Sequence, residues 1–200
     1  LFNGGANAVQ VNVRRIDGCI GGSGNPFNIT VGDTTGTTAI GNLNLPGDIV
    51  VNSANDIVIC GPLTSAANVS LTSGTAHSIT QNTGATVSAL LNVGYTTNVL
   101  NLNSSTSSTS GTINIQGNGA GNALTVNFQQ PGSNSSLTAL TGGFGTDNII
   151  FNGTASGPIT VTGGNNGLIN AGTGNVVFNG GLGTGAVSVN VNDISGCVEG

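Results

Sequence analysis

Few of the 200 residues carry side chains able to do chemistry, and the most suggestive sit in one glycine turn. Gly142-Gly143-Phe144-Gly145-Thr146-Asp147-Asn148-Ile149-Ile150 satisfies the calcium nonapeptide G-G-x-G-x-D-x-U-x residue by residue. Glycines permit the tight turn, and the Asp147 carboxylate is a hard oxygen donor of the kind calcium takes. A roll of such repeats shares each ion between turns, which requires further carboxylates about nine and eighteen residues away. Those positions hold Gln129, Thr138, Ser156 and Asn165, and the near-repeat Gly180 to Ser188 has lost its Asp. The segment therefore reads as a glycine turn ahead of a strand, and neither a metal nor another cofactor is expected.

Catalytic side chains are scarcer still. His77 is the single His, so a Ser–His–acid triad would have to use it. Alternation sets His77 on the same side as Ile79, which favours a partly buried or surface role. The seven acids are scattered, and paired carboxylates for glycoside hydrolysis do not emerge. Asp48 and Asp56 stand eight residues apart, each ahead of an Ile-Val run, a repeated turn preference. Arg14-Arg15 beside Asp17 reads as a salt-bridge site. No catalytic residue is assigned, and the chain is expected not to be an enzyme.

The three Cys gain meaning from a repeat between the chain's ends. Residues 8–22 (AVQVNVRRIDGCIGG) and 186–200 (AVSVNVNDISGCVEG) agree at nine of fifteen positions, Cys19 with Cys197 included. Phe2-Asn3-Gly4-Gly5 likewise matches Phe178-Asn179-Gly180-Gly181 after a short gap. Residues 1–178 are thus expected to form one period of a tandem array, with 179–200 opening the next; duplicated edge strands of one domain are the alternative. On the array reading Cys19 pairs with Cys60, and the partner of Cys197 belongs to the following period. Three buried thiols, or an intermolecular bridge from Cys197, remain open. A Cys19–Cys60 disulfide closes a loop worth roughly 3–4 kcal/mol and suits an oxidising compartment. The odd Cys count and the absence of Met share one expectation: the sequence is a window of a longer repeating chain.

The elements that must position these residues are short strands. Gly, Asn, Thr and Ser fill 107 positions, Lys is absent and charged residues are 4%. With two Arg and a net charge of -5, the chain lacks the cationic footprint of a nucleic-acid binder. A hydrophobic content of 36% argues against disorder, and no apolar run is long enough for membrane insertion. Apolar residues alternate with Asn, Thr or Ser in Val9–Val13, Phe27–Ile29, Leu43–Leu45, Ile57–Ile59, Val69–Leu71 and onward to Val187–Val191. That period of two sends one set of side chains inward and the polar set outward. No helical period of useful length occurs, and Ser104 to Ser110 reads as a low-complexity loop. Ice binding would need rows of Thr-x-Thr, and only Thr160-Val161-Thr162 qualifies.

The chain is therefore expected to be all-β. A parallel β-solenoid, or β-helix, fits the paucity of aromatics, because stacked turns need only a thin core of Val, Ile and Leu. Stacked Asn and Thr rows can form ladders on its outside. A β-sandwich or jelly-roll subunit is the alternative, but Asn-Gly hairpin signals are too few for it.

The run Asp147-Asn148-Ile149-Ile150-Phe151-Asn152-Gly153, followed by Pro158-Ile159-Thr160-Val161-Thr162-Gly163-Gly164 and Val176-Val177-Phe178-Asn179-Gly180-Gly181, resembles autotransporter passenger regions and filamentous-haemagglutinin-like exoproteins of Gram-negative bacteria. Gly47-Asp48-Ile49-Val50-Val51-Asn52 and Asn55-Asp56-Ile57-Val58-Ile59 share that style. The resemblance implies a right-handed parallel β-helix at the cell surface, serving as an adhesin or stalk. The expected role is a structural or adhesive module of a long extracellular bacterial fibre. Its partners would be neighbouring repeats or subunits stacked end to end, and a host or surface receptor. The alternative is the subunit of a noncovalent filament assembled by strand exchange. At about 21 residues and roughly 4.8 Å per turn, one period would advance such a fibre around 40 Å.

Overall fold

A computed structural model describes residues 1–129, 132–139, 147–154, 157–180 and 186–200; of residues 132–134 and 147 only the backbone is described. Its elements are all strands, and every pairing between them is parallel. The chain is a β-solenoid of about eight turns, as the alternation and the scarcity of hairpin signals lead one to expect.

Three faces wind in a fixed order. The first carries β2 (Val9–Val13), β4 (Phe27–Val31), β6 (Ile49–Ser53), β9 (Val69–Thr72) and β12 (Val93–Thr96). It continues through β15 (Ile113–Gln116), β18 (Asp147–Asn152) and the second parts of β20 (Asn166–Asn179) and β22 (Asp193–Glu199). On the second face lie β3 (Cys19–Ser23), the start of β5 (Thr38–Leu45), β7 (Ile57–Ile59) and β10 (Ser78–Gln81). Above them come β13 (Val99–Leu102), β16 (Leu124–Phe128), β19 (Ile159–Thr162) and β21 (Val187–Asn190). The third face opens with β1 (Phe2–Asn3), the end of β3 and the second half of β5. It goes on through β8 (Leu63–Ser65), β11 (Val87–Ala89), β14 (Ser105–Ser108), β17 (Gly132–Ala139) and the first parts of β20 and β22.

Alternation inside each strand becomes a vertical ladder once the strands stack. One rung series runs from Val9 through Phe27, Ile49, Val69, Val93, Ile113, Ile149 and Val176 to Val198. From Phe27 to Val176 its members are fully buried. Burying such aliphatic side chains is worth about 1.5–3 kcal/mol each, and stacking accomplishes it without a thick core. Between the corners the polar residues face out, and amides stack on amides: Asn127 Nδ2 donates to Asn101 Oδ1 at 2.9 Å, and Asn152 Nδ2 to Asn114 Oδ1 at 2.8 Å.

Turn length is uneven. Eighteen residues separate Val9 from Phe27 in one turn, and thirty-six separate Ile113 from Ile149. Over the eight turns from Val9 to Val198 the spacing averages about 24 residues rather than 21. Part of the added length sits at corners, such as residues 117–123, and register shifts at 132–136, 147–149 and 170–175 accompany it in the upper turns.

The serine tract departs from expectation, because Ser105–Ser108 is strand β14 rather than a loop. Thr106 and Ser108 point inward and are buried. Their hydroxyls are satisfied there: Thr106 Oγ1 lies 2.8 Å from the Tyr95 hydroxyl, and Ser108 donates to the Leu91 carbonyl. The same rule holds along the core, where Thr38 meets Ser53 at 2.8 Å and Ser73 meets Thr97 at 2.9 Å. Gln81, fully buried, donates to the carbonyls of Ala85 and Ser105 at 2.6 and 2.9 Å. Among the described residues no buried side-chain nitrogen or oxygen lacks a hydrogen-bond partner, which removes the desolvation penalty of these polar inclusions.

Candidate functional site

Cys19 and Cys60 form a disulfide, with Cα atoms 6.4 Å apart. It sits where the second face turns into the third and ties β3 to the end of β7, with β5 between them. Cys19 is exposed and Cys60 half-buried. Glycine makes this corner possible. A Cβ on Gly41 would lie 2.3 Å from the Gly61 nitrogen, and one on Gly21 would lie 2.9 Å from the Gly41 carbonyl oxygen. Three bare backbones thus stack where any side chain would force the turns apart. Cys197 is a free, exposed thiol on β22. A disulfide of this kind points to an oxidising, non-cytoplasmic location.

The two acids that precede Ile-Val runs start ladders that climb between turns. Asp48 Oδ1 accepts from the Asn68 amide at 3.0 Å and from Asn68 Nδ2 at 2.8 Å. Asn68 Oδ1 in turn accepts from Asn92 N and Nδ2 at 3.1 and 3.0 Å. Asn92 Oδ1 accepts from the Thr112 amide at 2.9 Å. Each side chain therefore occupies the backbone donor that opens the strand one turn above. Asp48 and Asp56 were legible as a repeated turn preference; Asn68, Asn92 and Asn98 had no such signal, because their role exists only in the stacked register.

The second ladder contains the single His. Asp56 Oδ1 accepts from the Ser78 amide at 2.7 Å and from the Ser78 hydroxyl at 2.8 Å, and His77 Nδ1 lies 3.4 Å away. Partial burial works against the Asp56 carboxylate, but the two Ser78 donors and His77 outweigh it and hold its pKa below the usual value. One turn above, Asn98 Oδ1 accepts from the Ala76 amide at 2.7 Å, steadying a residue whose φ is 64°. A triad needs a hydroxyl on the far side of the imidazole from the acid. The Ser78 hydroxyl instead donates to Asp56 itself, so the cluster ties two turns together rather than activating a nucleophile.

The remaining candidates stay apart. Arg15 Nε donates to Asp17 Oδ1 at 2.9 Å within one exposed corner, so the pair links no two turns. Residues 142–146 of the calcium-type turn, the Asp147 side chain and Ser156 lie outside the described residues. Gln129 is exposed and donates to Asn101 Oδ1 at 3.3 Å. Among the described residues no three His, Cys, Asp or Glu side chains gather as a metal site. Thr160-Val161-Thr162 stacks on Thr125-Val126-Asn127 below and under Ser188-Val189-Asn190 above, so the Thr pair stays a single row.

The two copies of the terminal repeat occupy different faces. β2 stacks under β4 on the first face, whereas β21 stacks over β19 on the second. Cys19 aligns with Ala39 on the second face, and Cys197 aligns with Asn175 on the first. Compared with protein-family models, curated proteins and solved structures, the chain matches none.

Proposed function

We propose that the chain is a structural and adhesive module of a long extracellular fibre on a bacterial surface, and that it is not an enzyme. The observation that carries this reading is the parallel sheet itself, whose turns stack in one direction with every pairing parallel, a geometry to which further turns add without changing the pairing. Eight turns at about 4.8 Å make a spacer of roughly 38 Å. Its partners are neighbouring repeats or subunits stacked end to end. Rows of Asn, Ser and Thr give the flanks a hydrogen-bonding surface of little charge, suited to a host or surface receptor. On this reading residues 1–178 are one period and 179–200 the start of the next. Labelling the producing cells with gold-tagged antibody against the chain tests it: label along surface fibres is expected, and label confined to the cytoplasm overturns it.

One observation favours a second reading, a noncovalent filament of separate subunits joined by strand exchange. The similar strands β2 and β21 hang from opposite end turns on different faces, so a strand from one subunit could occupy the slot of the other. Denaturing electrophoresis of the native material separates the two. A very large species fits the tandem array, and a band near 19.4 kDa fits separate subunits.

A further inference from the structure

We propose that the corner at residues 117–123 is a strap that reaches across an intervening turn and locks three consecutive turns into one block, so that the middle of the rod opens as a unit. A stack in which each turn touches only its two neighbours can peel one turn at a time. A tie between turns that are not neighbours removes that route. The strap stands on geometry alone, whatever surface the protein is displayed on.

Corners between the first and second faces differ greatly in length. In the turns of β9, β12 and β15 they hold residues 73–77, 97–98 and 117–123. The two-residue corner in the middle is recessed: Thr97 and Asn98 are 0% and 6% exposed, although polar corners ordinarily lie at the surface. The long corners on either side close over it. Asn118 Nδ2 donates to the Ser73 carbonyl at 2.8 Å, joining residues 45 apart across one whole turn. Beside that bond a Cβ on Gly119 would lie 2.6 Å from Thr75 Cγ2, so the two corners touch. Glycine, with a φ of 83°, is what lets the strap lie so close.

The strap is shaped by its own residues and anchored from both sides. Asn122 closes it into a hook, its amide donating to the Gly119 carbonyl at 3.3 Å and its Nδ2 to the Asn118 carbonyl at 3.2 Å. From the turn above, Thr154 Oγ1 donates to the Asn122 carbonyl at 2.6 Å. From the turn below, Asn98 Nδ2 donates to the Ala123 carbonyl at 3.1 Å, while Asn98 Oδ1 accepts from the Ala76 amide at 2.7 Å. Ser73 Oγ donates to Thr97 Oγ1 at 2.9 Å, and the Thr97 hydroxyl to the His77 carbonyl at 3.0 Å. The recessed corner is thus bonded upward and downward, and the two flanking turns are also bonded to each other. None of the three separates without breaking contacts of the other two. The Cys19–Cys60 bridge has the same form lower in the rod, joining β3 to the end of β7 with β5 between.

Hydrogen exchange read at single amides by NMR tests the strap. In the parent, the amides of Leu71, Tyr95 and Ile115 are expected to open with one common dependence on urea. Asn118→Ala is expected to speed their exchange about tenfold and to split that common dependence, leaving Ile29 and Ile40 unchanged. Separate urea dependences in the parent, or an effect of Asn118→Ala confined to the three corners, overturns the block. A covalent substitute gives a second arm, because the Gly119 Cβ position lies 3.8 Å from Thr75 Cβ, within disulfide range. Thr75→Cys also removes the close Cγ2 methyl. Combined with Asn118→Ala and Cys197→Ser, the pair Thr75→Cys and Gly119→Cys is expected to restore the common dependence when oxidised and to lose it when reduced. The strain of a side chain at residue 119 is present in both redox states. The same chain without the added pair, reduced alike, corrects for the Cys19–Cys60 bridge. An oxidised chain that still opens turn by turn overturns the strap.

Discussion

Phe151 and Phe178 stack ring on ring across adjacent turns, with centroids 4.7 Å apart and planes within 11° of parallel. They are register partners on the first face, and both are buried. A ladder that is otherwise largely aliphatic thus carries an aromatic pair in its upper turns. Phe151→Ala is expected to destabilise the chain by about 3–5 kcal/mol through lost burial and the cavity left behind. Phe151→Leu should cost clearly less. Chemical unfolding followed by circular dichroism measures both, and equal losses would mean that the ring contact, rather than the buried volume, carries the stabilisation.

The Cys19–Cys60 bridge joins residues 41 apart in sequence. Cys19→Ser or Cys60→Ser is expected to lower stability by roughly 3–4 kcal/mol, because the unfolded chain regains the freedom of that loop. Reduction of the unmodified chain should reproduce the loss, and reduction of either variant should add nothing to it. Urea midpoints with and without reductant check this.

Glycine at 41 is required by the close approach of Gly61 rather than by its own backbone angles. Gly41→Ala is expected to cost about 1–3 kcal/mol, since the new methyl must push two turns apart. Gly32→Ala is the control, because a Cβ there meets nothing nearer than the Val13 carbonyl oxygen at 3.9 Å. Melting temperatures of the two variants should differ, with only the first well below the parent.

Asp56 links stability to acid. Its folded pKa lies below the ordinary value of 3.8, so its contribution is present above that value and is lost as pH falls through the lower, folded one. Asp56→Asn is expected to be less stable than the parent at neutral pH. Because Asn does not ionise, the difference should shrink below pH 3.8. Melting curves across that range check it; a difference constant down to the lowest pH would show that the Asp56 charge is not what matters.

Much of the fold was legible because alternation is a local property. Val9–Val13, Phe27–Ile29 and Ile57–Ile59 show which side chains point inward without reference to any partner. The partner itself is not local, and the same alternation would serve a sandwich. The tract from Ser104 to Ser110 misled for a related reason: hydroxyls look like loop chemistry until Tyr95 and the Leu91 carbonyl are stacked against them. The disulfide was reachable because the repeat singled out Cys197. The Asp48–Asn68–Asn92 ladder was not, since residues 20 and 24 apart meet only once turns of unequal length are in register.

Tyr95 is the single Tyr in a chain without Trp. It is buried in the middle turns with its hydroxyl against Thr106, and burial pushes its pKa well above the ordinary 10.0. The rod therefore carries one built-in optical probe at its centre. In alkali the phenolate absorbance should stay silent while the central turns hold, then rise as they open. Fraying confined to either end would leave it dark, so a plain spectrophotometer can tell unravelling from the tips apart from failure in the middle.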